Sequence, residues 1–258
     1  MIKLIAFDLD GTLLHTDKSL PADFFSVAAE LTARGVTFVA ASGRQYDNIY
    51  ETLSPLSKDM YIISENGAIN GRGDTISDCR RMTAESVAET LAEVRKIGGA
   101  HAVCCCAREG VYSSEEPTFV REMSRYYLRR RKTDDRGAES APACKVAIYC
   151  YGRAAEFYEK FTAPAGTEKV ISGVDWVDIA PAGVNKGAAL AEVLGITGTR
   201  SEECLAFGDN FNDREMLELC GSRFTVANAP GGMKELFPVI GSNDEDAVTV
   251  KIKEIFGI

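Results

Sequence analysis

The chain has 258 residues, 45% of them hydrophobic and 26% charged, with a formal net charge of −9. That length suits a large core, either as one domain with an insert or as two domains. The acidic balance argues against nonspecific nucleic-acid binding, which needs basic surface, and no apolar stretch approaches the roughly 20 residues of a membrane span. Among the eight cysteines there is no Cys-x-x-Cys pair, and Cys104, Cys105 and Cys106 are adjacent, so neither a disulfide framework nor a zinc site is indicated. Free thiols in a reducing cytoplasm are expected, and Asp8 and Asp10 interrupt any signal-peptide reading of the N-terminus.

Ile2–Phe7 reads as a buried strand that runs into Asp8-Leu9-Asp10-Gly11-Thr12. Residues two apart on an extended chain point the same way, so Asp8 and Asp10 can face one pocket. Two like charges that close are costly without a cation or proton between them. The pair therefore points to a divalent metal, a carboxylate nucleophile, or both. Pro21–Ala33 carries apolar residues at helical spacing, with Gly35 placed to end the helix. Val36–Ala41 is a second strand, followed by Ser42-Gly43-Arg44 and a helix over Gln45–Leu53. Tyr61–Ser64 is a third strand, and Glu65-Asn66-Gly67 marks a turn. This βαβαβ order predicts a mainly parallel, doubly wound α/β sheet, with its chemistry outside the carboxyl ends of the strands.

The middle of the chain lacks that alternation. Ala84–Ile97 reads as an amphipathic helix ended by Gly98-Gly99. His101–Ala107 and Cys144–Tyr151 read as strands, with helices near Thr118–Leu128 and Arg153–Phe161. Lys169–Ser172 and Asp175–Ile179 read as strands paired across Gly173. The last part returns to α/β order: a helix over Lys186–Leu194, a strand over Cys204–Phe207, a helix over Asn212–Leu219, a strand over Phe224–Val226 and a helix over Asp244–Phe256. One Rossmann-like sheet built from both chain ends is expected, over residues 1–82 and 183–258, with a separate α+β unit inserted as 83–182.

Four sites fall at strand ends or a helix start: Asp8-x-Asp10-Gly11-Thr12, Ser42, Lys186 in Asn185-Lys186-Gly187, and Gly208-Asp209-Asn210-Phe211-Asn212-Asp213. With Glu65-Asn66-Gly67-Ala68, Ala227-Asn228-Ala229 and Ser242-Asn243-Asp244-Glu245-Asp246, they make the chain resemble the haloacid dehalogenase-like phosphatase superfamily over nearly its whole length. The nearest branch is the Cof-type hydrolases. The resemblance implies that Asp8 attacks phosphorus to form an aspartyl-phosphate, and that Asp10 is the general acid and then the base. It implies Mg²⁺ held by Asp8, the backbone carbonyl of Asp10 and Asp209, with Asp213 in support. Ser42 and Lys186 match the phosphate holders, and Asn212, Gly43 and the Leu9 backbone match secondary contacts. It further implies that the insert is a type II, subclass B cap, hinged near Thr83 and Pro181-Ala182-Gly183, that excludes water and takes part in substrate choice.

Several features have plain structural alternatives. Ser42 suits a helix entry, a lone Lys186 a solvated charge, and Asp213 the first turn of a helix. Arg44 suits a substrate contact or a surface salt bridge. Cys104–Cys106 alternate sides of a strand and read as small buried residues. Arg129-Arg130-Arg131-Lys132, followed by Asp134 and Asp135, reads as a solvated loop or an anion-binding lip. Trp176, Tyr126 and Tyr127 suit the cap core, its surface, or a face that stacks on a sugar or base. The expected activity is Mg²⁺-dependent hydrolysis of a small phosphorylated metabolite, a sugar phosphate first, without nucleic-acid or membrane partners. Nothing in the sequence sets the oligomeric state, and a monomer is compatible with it. Asp10 argues against a dehalogenase. A phosphomutase and a non-catalytic phospho-ligand sensor are the competing readings.

Overall fold

Two β-sheets organise the chain in a computed structural model that describes residues 1–258. The first sheet takes β1 (Leu4–Phe7), β2 (Thr37–Ala41), β3 (Tyr61–Ser64), β4 (Ile69–Arg72) and β5 (Thr75–Cys79). The second takes β6 (His101–Cys106), β7 (Glu109–Tyr112), β8 (Arg130–Lys132), β9 (Lys145–Tyr149), β10 (Thr167–Ser172) and β11 (Trp176–Pro181). The chain then returns to the first sheet through β12 (Cys204–Gly208) and β13 (Ser222–Thr225). The first sheet has the order β13-β12-β1-β2-β3-β4-β5, and its first five strands in that order are mutually parallel.

β1, the first strand of the chain, lies at the centre because all four of its residues are apolar and fully buried, the pattern of a parallel strand covered on both faces. Winding reverses at β1: β2 and β3 extend one way, β12 and β13 the other. Right-handed crossovers then place the connecting helices on opposite faces. Helix Phe24–Ala33 packs on Ala247–Phe256, and helix Lys186–Thr197 packs on Arg214–Leu219. The parallel strands bring their carboxyl ends, and with them Asp8, Ser42 and Asp209, to one edge.

The far edge differs from the sequence expectation. β4 and β5 form an antiparallel hairpin on β3. Asn70-Gly71-Arg72-Gly73 carries turn residues where a strand runs, because Gly71 lies where a Cβ would come within 2.3 Å of the Tyr46 hydroxyl and 2.4 Å of the Thr75 carbonyl. A side chain cannot fit there, so packing overrides turn chemistry.

The second sheet has the order β10-β11-β9-β6-β7-β8 and is antiparallel except for β7 with β8. Strand alternation sorts its residues. Cys104 and Cys106 pack with Val87, Leu91 and Val94 of helix Ala84–Ile97, whereas Cys105 joins the larger cluster that includes the first sheet. All three are buried. Arg129–Lys132 is not simply a loop: β8 pairs as an exposed edge strand with β7, and Arg131 bonds Glu109. The expected helix Asn212–Leu219 divides into a tight turn, Phe211–Asp213, and helix Arg214–Leu219. The turn forms because Asp213 folds its carboxylate back onto backbone N–H groups. No helix is long and apolar enough to cross a membrane.

Candidate active site

The loop after β1 brings the first two carboxylates to one cavity, as their spacing suggests, but to different partners. Asp8 is 5% exposed, and its Oδ1 accepts a hydrogen bond from Lys186 Nζ at 2.6 Å. Lys186, 1% exposed, also donates to Asp213 Oδ1 at 2.6 Å. It sits at the first turn of its helix, where the Asn185 side chain caps by accepting from the Ala188 N–H at 2.8 Å. The solvated-lysine reading therefore fails, because two buried carboxylates hold the ammonium. Burial alone would depress the Lys186 pKa, but Asp213 and Asp8 outweigh it and hold the ammonium above the usual lysine value.

The Lys186 helix is placed by the turn after β3. Gly67 has φ +100°, and a Cβ there would fall 2.3 Å from the Asn185 carbonyl. Only glycine combines that backbone conformation with so close an approach.

Asp209 follows β12, and its Oδ1 accepts from the Thr12 hydroxyl at 3.0 Å. Gly11, with φ +82°, clears space for it, since a Cβ there would meet Asp209 Oδ2 at 2.7 Å. Asp213 Oδ2 accepts from the backbone N–H groups of Asp209 and Asn210 at 3.0 and 3.1 Å. Asp213 thus does the helix-entry work its position suggests and also fixes the Asp209 loop. Asp8, Asp209 and Asp213 each offer a carboxylate oxygen within 4.8 Å of the others.

One ammonium cannot balance three carboxylates. Burial pushes the Asp8 carboxyl well above its usual range, with Lys186 opposing and Asp213 and Asp209 reinforcing the rise. Burial and Asp213 likewise raise Asp209. Lys186 is thus raised by Asp213 and Asp8 against burial, while Asp8 is raised chiefly by burial against Lys186. The donors are all hard oxygens, and the recorded side-chain bonds occupy Oδ1 of Asp8 and of Asp209. This set fits Mg²⁺.

Asp10 lines the same cavity and is held by cations of its own. Arg44 grips it with two bonds, Nε to Oδ2 at 2.6 Å and Nη2 to Oδ1 at 2.7 Å, and Lys18 Nζ adds a third at 2.8 Å. Burial would raise the Asp10 carboxyl, but Arg44 and then Lys18 outweigh it and hold it below the usual carboxylate value. Of the two sequence readings of Arg44, the salt bridge is found, but in the cavity wall and not on the surface. Its side chain is only 10% exposed, and Asn48 Oδ1 accepts a further bond from it at 2.9 Å. The signal was the pair of facing carboxylates, which need cationic partners.

Ser42 is buried, and its Oγ accepts from the Arg44 N–H at 3.2 Å. Gly43 lines the same cavity as Ser42 and Asp8, while its carbonyl accepts from Lys145 at 3.1 Å. Leu9 is fully buried, so only its backbone can serve a ligand. Asn212 Nδ2 donates to Asn66 Oδ1 at 3.1 Å.

The two shorter C-terminal motifs brace the Asp10 loop. Asn228 Nδ2 bonds the Gly11 carbonyl at 2.8 Å, Asn243 Nδ2 bonds the Leu14 carbonyl at 2.9 Å, and Asp244 accepts from Thr16.

The second sheet closes over this edge. Lys145 Nζ reaches Glu65 Oε2 at 2.8 Å and Asp178 Oδ2 at 3.2 Å, and Asn66 Nδ2 donates to Asp178 Oδ2 at 2.8 Å. Burial raises Glu65, with Lys145 opposing. This buried network escaped sequence reasoning, because its members are distant in the chain and carry no local motif. Between the sheets lies a cavity of about 220 Å³. Asp8, Asp10, Ser42 and Asp209 line it from below, and Trp176, Tyr126 and Asp178 line it from above.

A family model of haloacid dehalogenase-like hydrolases matches residues 5–252. The HMP-PP phosphatase of Shigella flexneri serotype 5b is 30% identical over 268 residues, covering 96% of this chain and 94% of that protein. The HMP-PP phosphatase of Escherichia coli strain 55989 matches at 30% over 267 residues, with the same coverage. Among solved structures, SMU.1108c from Streptococcus mutans UA159 superposes with a TM-score of 0.92 at 23% identity, covering 100% of both chains. The HAD subclass IIB sugar phosphatase BT4131 superposes at 0.86 with 21% identity, covering 99% of each. The chain belongs to the haloacid dehalogenase-like hydrolase family, in its Cof-type branch. It is a phosphatase.

Proposed function

We propose that this chain is a Mg²⁺-dependent phosphatase that hydrolyses a small phosphorylated metabolite, a sugar phosphate first, through a phosphorylated Asp8. Residues 1–82 and 183–258 form the catalytic unit, and 83–182 form a cap hinged near Thr83 and Pro181–Gly183. The observation that carries this reading is the placement of Asp8. It is a buried carboxylate at the sheet edge, oriented through one oxygen by Lys186 and open to the cavity beside Asp10.

In this reading Asp8 Oδ2 forms a bond to phosphorus as the bond to the leaving oxygen breaks. Lys186 offsets charge on Asp8 and on the transferring group. Ser42, the Gly43 backbone, the Leu9 backbone and Asn212 hold the phosphoryl oxygens. Asp10 gives a proton to the leaving oxygen, then takes one from the water that attacks phosphorus and frees Asp8. The grip of Arg44 and Lys18 favours the basic form of Asp10. That grip must loosen as substrate enters if Asp10 is to carry a proton into the first step. Asp8, Asp209 and the Asp10 carbonyl would hold Mg²⁺, with Asp213 fixing the Asp209 loop. The ion would supply charge neutralisation between the nucleophile and the phosphate dianion.

The test is phosphate release from a panel of sugar phosphates, nucleotides and an aryl phosphate, with and without Mg²⁺, in wild type and Asp8→Asn. Turnover that requires Mg²⁺ and disappears in Asp8→Asn is expected. Wild-type turnover in Asp8→Asn overturns the mechanism. A requirement for an added bisphosphate replaces it with a phosphomutase, and binding without turnover at any divalent metal replaces it with a sensor.

A further inference from the structure

The cap face above the site is set by strand alternation. On β11, Trp176 and Asp178 share a face, while Val177 and Ile179 point into the apolar cluster behind the sheet. Across the ladder, Asp178 pairs with Ala147 and Trp176 with Tyr149 of β9. Ala147 is the small residue in this patch, and it leaves the space that Trp176, Tyr126 and Asp178 surround. Tyr126 meets Trp176 edge-on, with ring centroids 6.0 Å apart at 82°.

Asp178 is 4% exposed. Its recorded bonds, from Asn66 at 2.8 Å and Lys145 at 3.2 Å, both fall on Oδ2, and its side chain lines the cavity. With Oδ2 engaged and Oδ1 accepting no hydrogen bond within the protein, the carboxylate has an acceptor to offer a donor in the cavity.

The remaining charge on this face is already used. Lys145 gives its ammonium to Glu65, Asp178 and the Gly43 carbonyl, so the cap offers no free cation to a second phosphate or a carboxylate. At about 220 Å³ the cavity is below the roughly 300–1,000 Å³ of drug-sized ligand pockets. Its lining sets carboxylates, cations and hydroxyls beside the aromatic wall of Trp176 and Tyr126, which suits a ring that carries hydroxyls.

The geometry points to Asp178 as the residue that selects the leaving group, accepting a hydrogen bond from a hydroxyl of a sugar ring that lies against Trp176 and Tyr126. This rests on the phosphatase reading of the cavity and adds to it the residue that distinguishes a polyol from other alcohols. Asp178→Asn is the informative change. Asn66 and Lys145 are both donors aimed at the Oδ2 position, so they draw the amide oxygen there. The amide NH₂ then faces the cavity and opposes the substrate hydroxyl with another donor.

The experiment compares kcat and KM for hexose phosphates and p-nitrophenyl phosphate, with Mg²⁺, in wild type and Asp178→Asn. It also compares singly deoxygenated hexose phosphates on the wild-type enzyme, an arm that needs no variant to fold. The ratio of kcat/KM for hexose phosphate over aryl phosphate is expected to fall roughly ten- to hundredfold in Asp178→Asn, mainly through KM, as a charge-assisted hydrogen bond is lost. One deoxy analogue is expected to show a similar loss on wild type. An unchanged ratio, or no sensitive hydroxyl in the deoxy series, overturns the assignment. Wild-type turnover of aryl or heteroaromatic phosphates but of no sugar phosphate overturns it while leaving the phosphatase reading intact. Absence of Mg²⁺-dependent turnover on both substrates is instead a failure of the phosphatase reading itself, and this assignment falls with it.

Discussion

Replacing Lys186 with Met removes the cation between Asp8 and Asp213 while keeping an unbranched side chain of similar length. Lys186 is 1% exposed and lies 2.6 Å from both carboxylates. Its loss leaves Asp8, Asp213 and Asp209 facing one another without a protein counter-charge. Breaking a buried ion pair by removing one partner costs about 3–5 kcal/mol. At about 2–4 °C per kcal/mol for a chain of this size, Tm should fall by about 6–20 °C. The folded-state pKa of Lys186 is raised. Its contribution is therefore complete below the unfolded lysine value of about 10.4 and is lost only as pH climbs through the folded one. A thermal scan in chelator at about pH 9, above the raised Asp209 value of about 7 and below the lysine value of about 10.4, reads the effect. The chelator matters because a bound cation would replace part of the missing charge. A Tm within about 2 °C of wild type refutes the reasoning: it would mean that the carboxylates relieve themselves by protonation or by moving apart, and that Lys186 does not hold the cluster together.

Three further outcomes follow from the geometry. Arg44→Leu should lower kcat roughly ten- to hundredfold, since it removes the two charge-assisted bonds that orient Asp10. Steady-state rates check this, and a change confined to KM would count against it. Gly67→Ala should destabilise the chain by about 1–3 kcal/mol and reduce turnover together, because the left-handed turn and the Asn185 carbonyl leave no room for a Cβ. Denaturant melts paired with activity measurements read both effects. Cys79 should be alkylated before the other cysteines at neutral pH. Cys79 is half-buried where the other seven cysteines are buried, and the neighbouring Cys144 thiol and Arg81 hold its own thiol below the usual value, whereas burial raises Cys104, Cys106 and Cys150 to about 12. Peptide mapping by mass after a brief pulse of alkylating agent gives the order of reaction.

The sequence by itself determined the parts whose physics is local. A short uninterrupted apolar run bounded by turn residues suits a doubly covered strand, so β1 and the carboxylates at its end were legible, as were β2, β3 and β12 with Ser42 and Asp209 behind them. Helix Ala84–Ile97 was read to the residue, because its periodicity lies between a capping Thr83 and Gly98.

Tertiary structure decided what depends on residues distant in the chain. The β4–β5 hairpin exists because Tyr46 packs where Gly71 has no side chain. Arg44 is an Asp10 partner rather than a surface ion, because β1 and β2 are neighbours. The Lys145–Glu65–Asp178–Asn66 network joins four segments that no periodicity relates. Local propensity and pattern act over a few residues, whereas the energy of a buried charge depends on every group that surrounds it. The candidate site residues could therefore be read along the chain, and the contacts that orient them could be seen only once the two sheets had met.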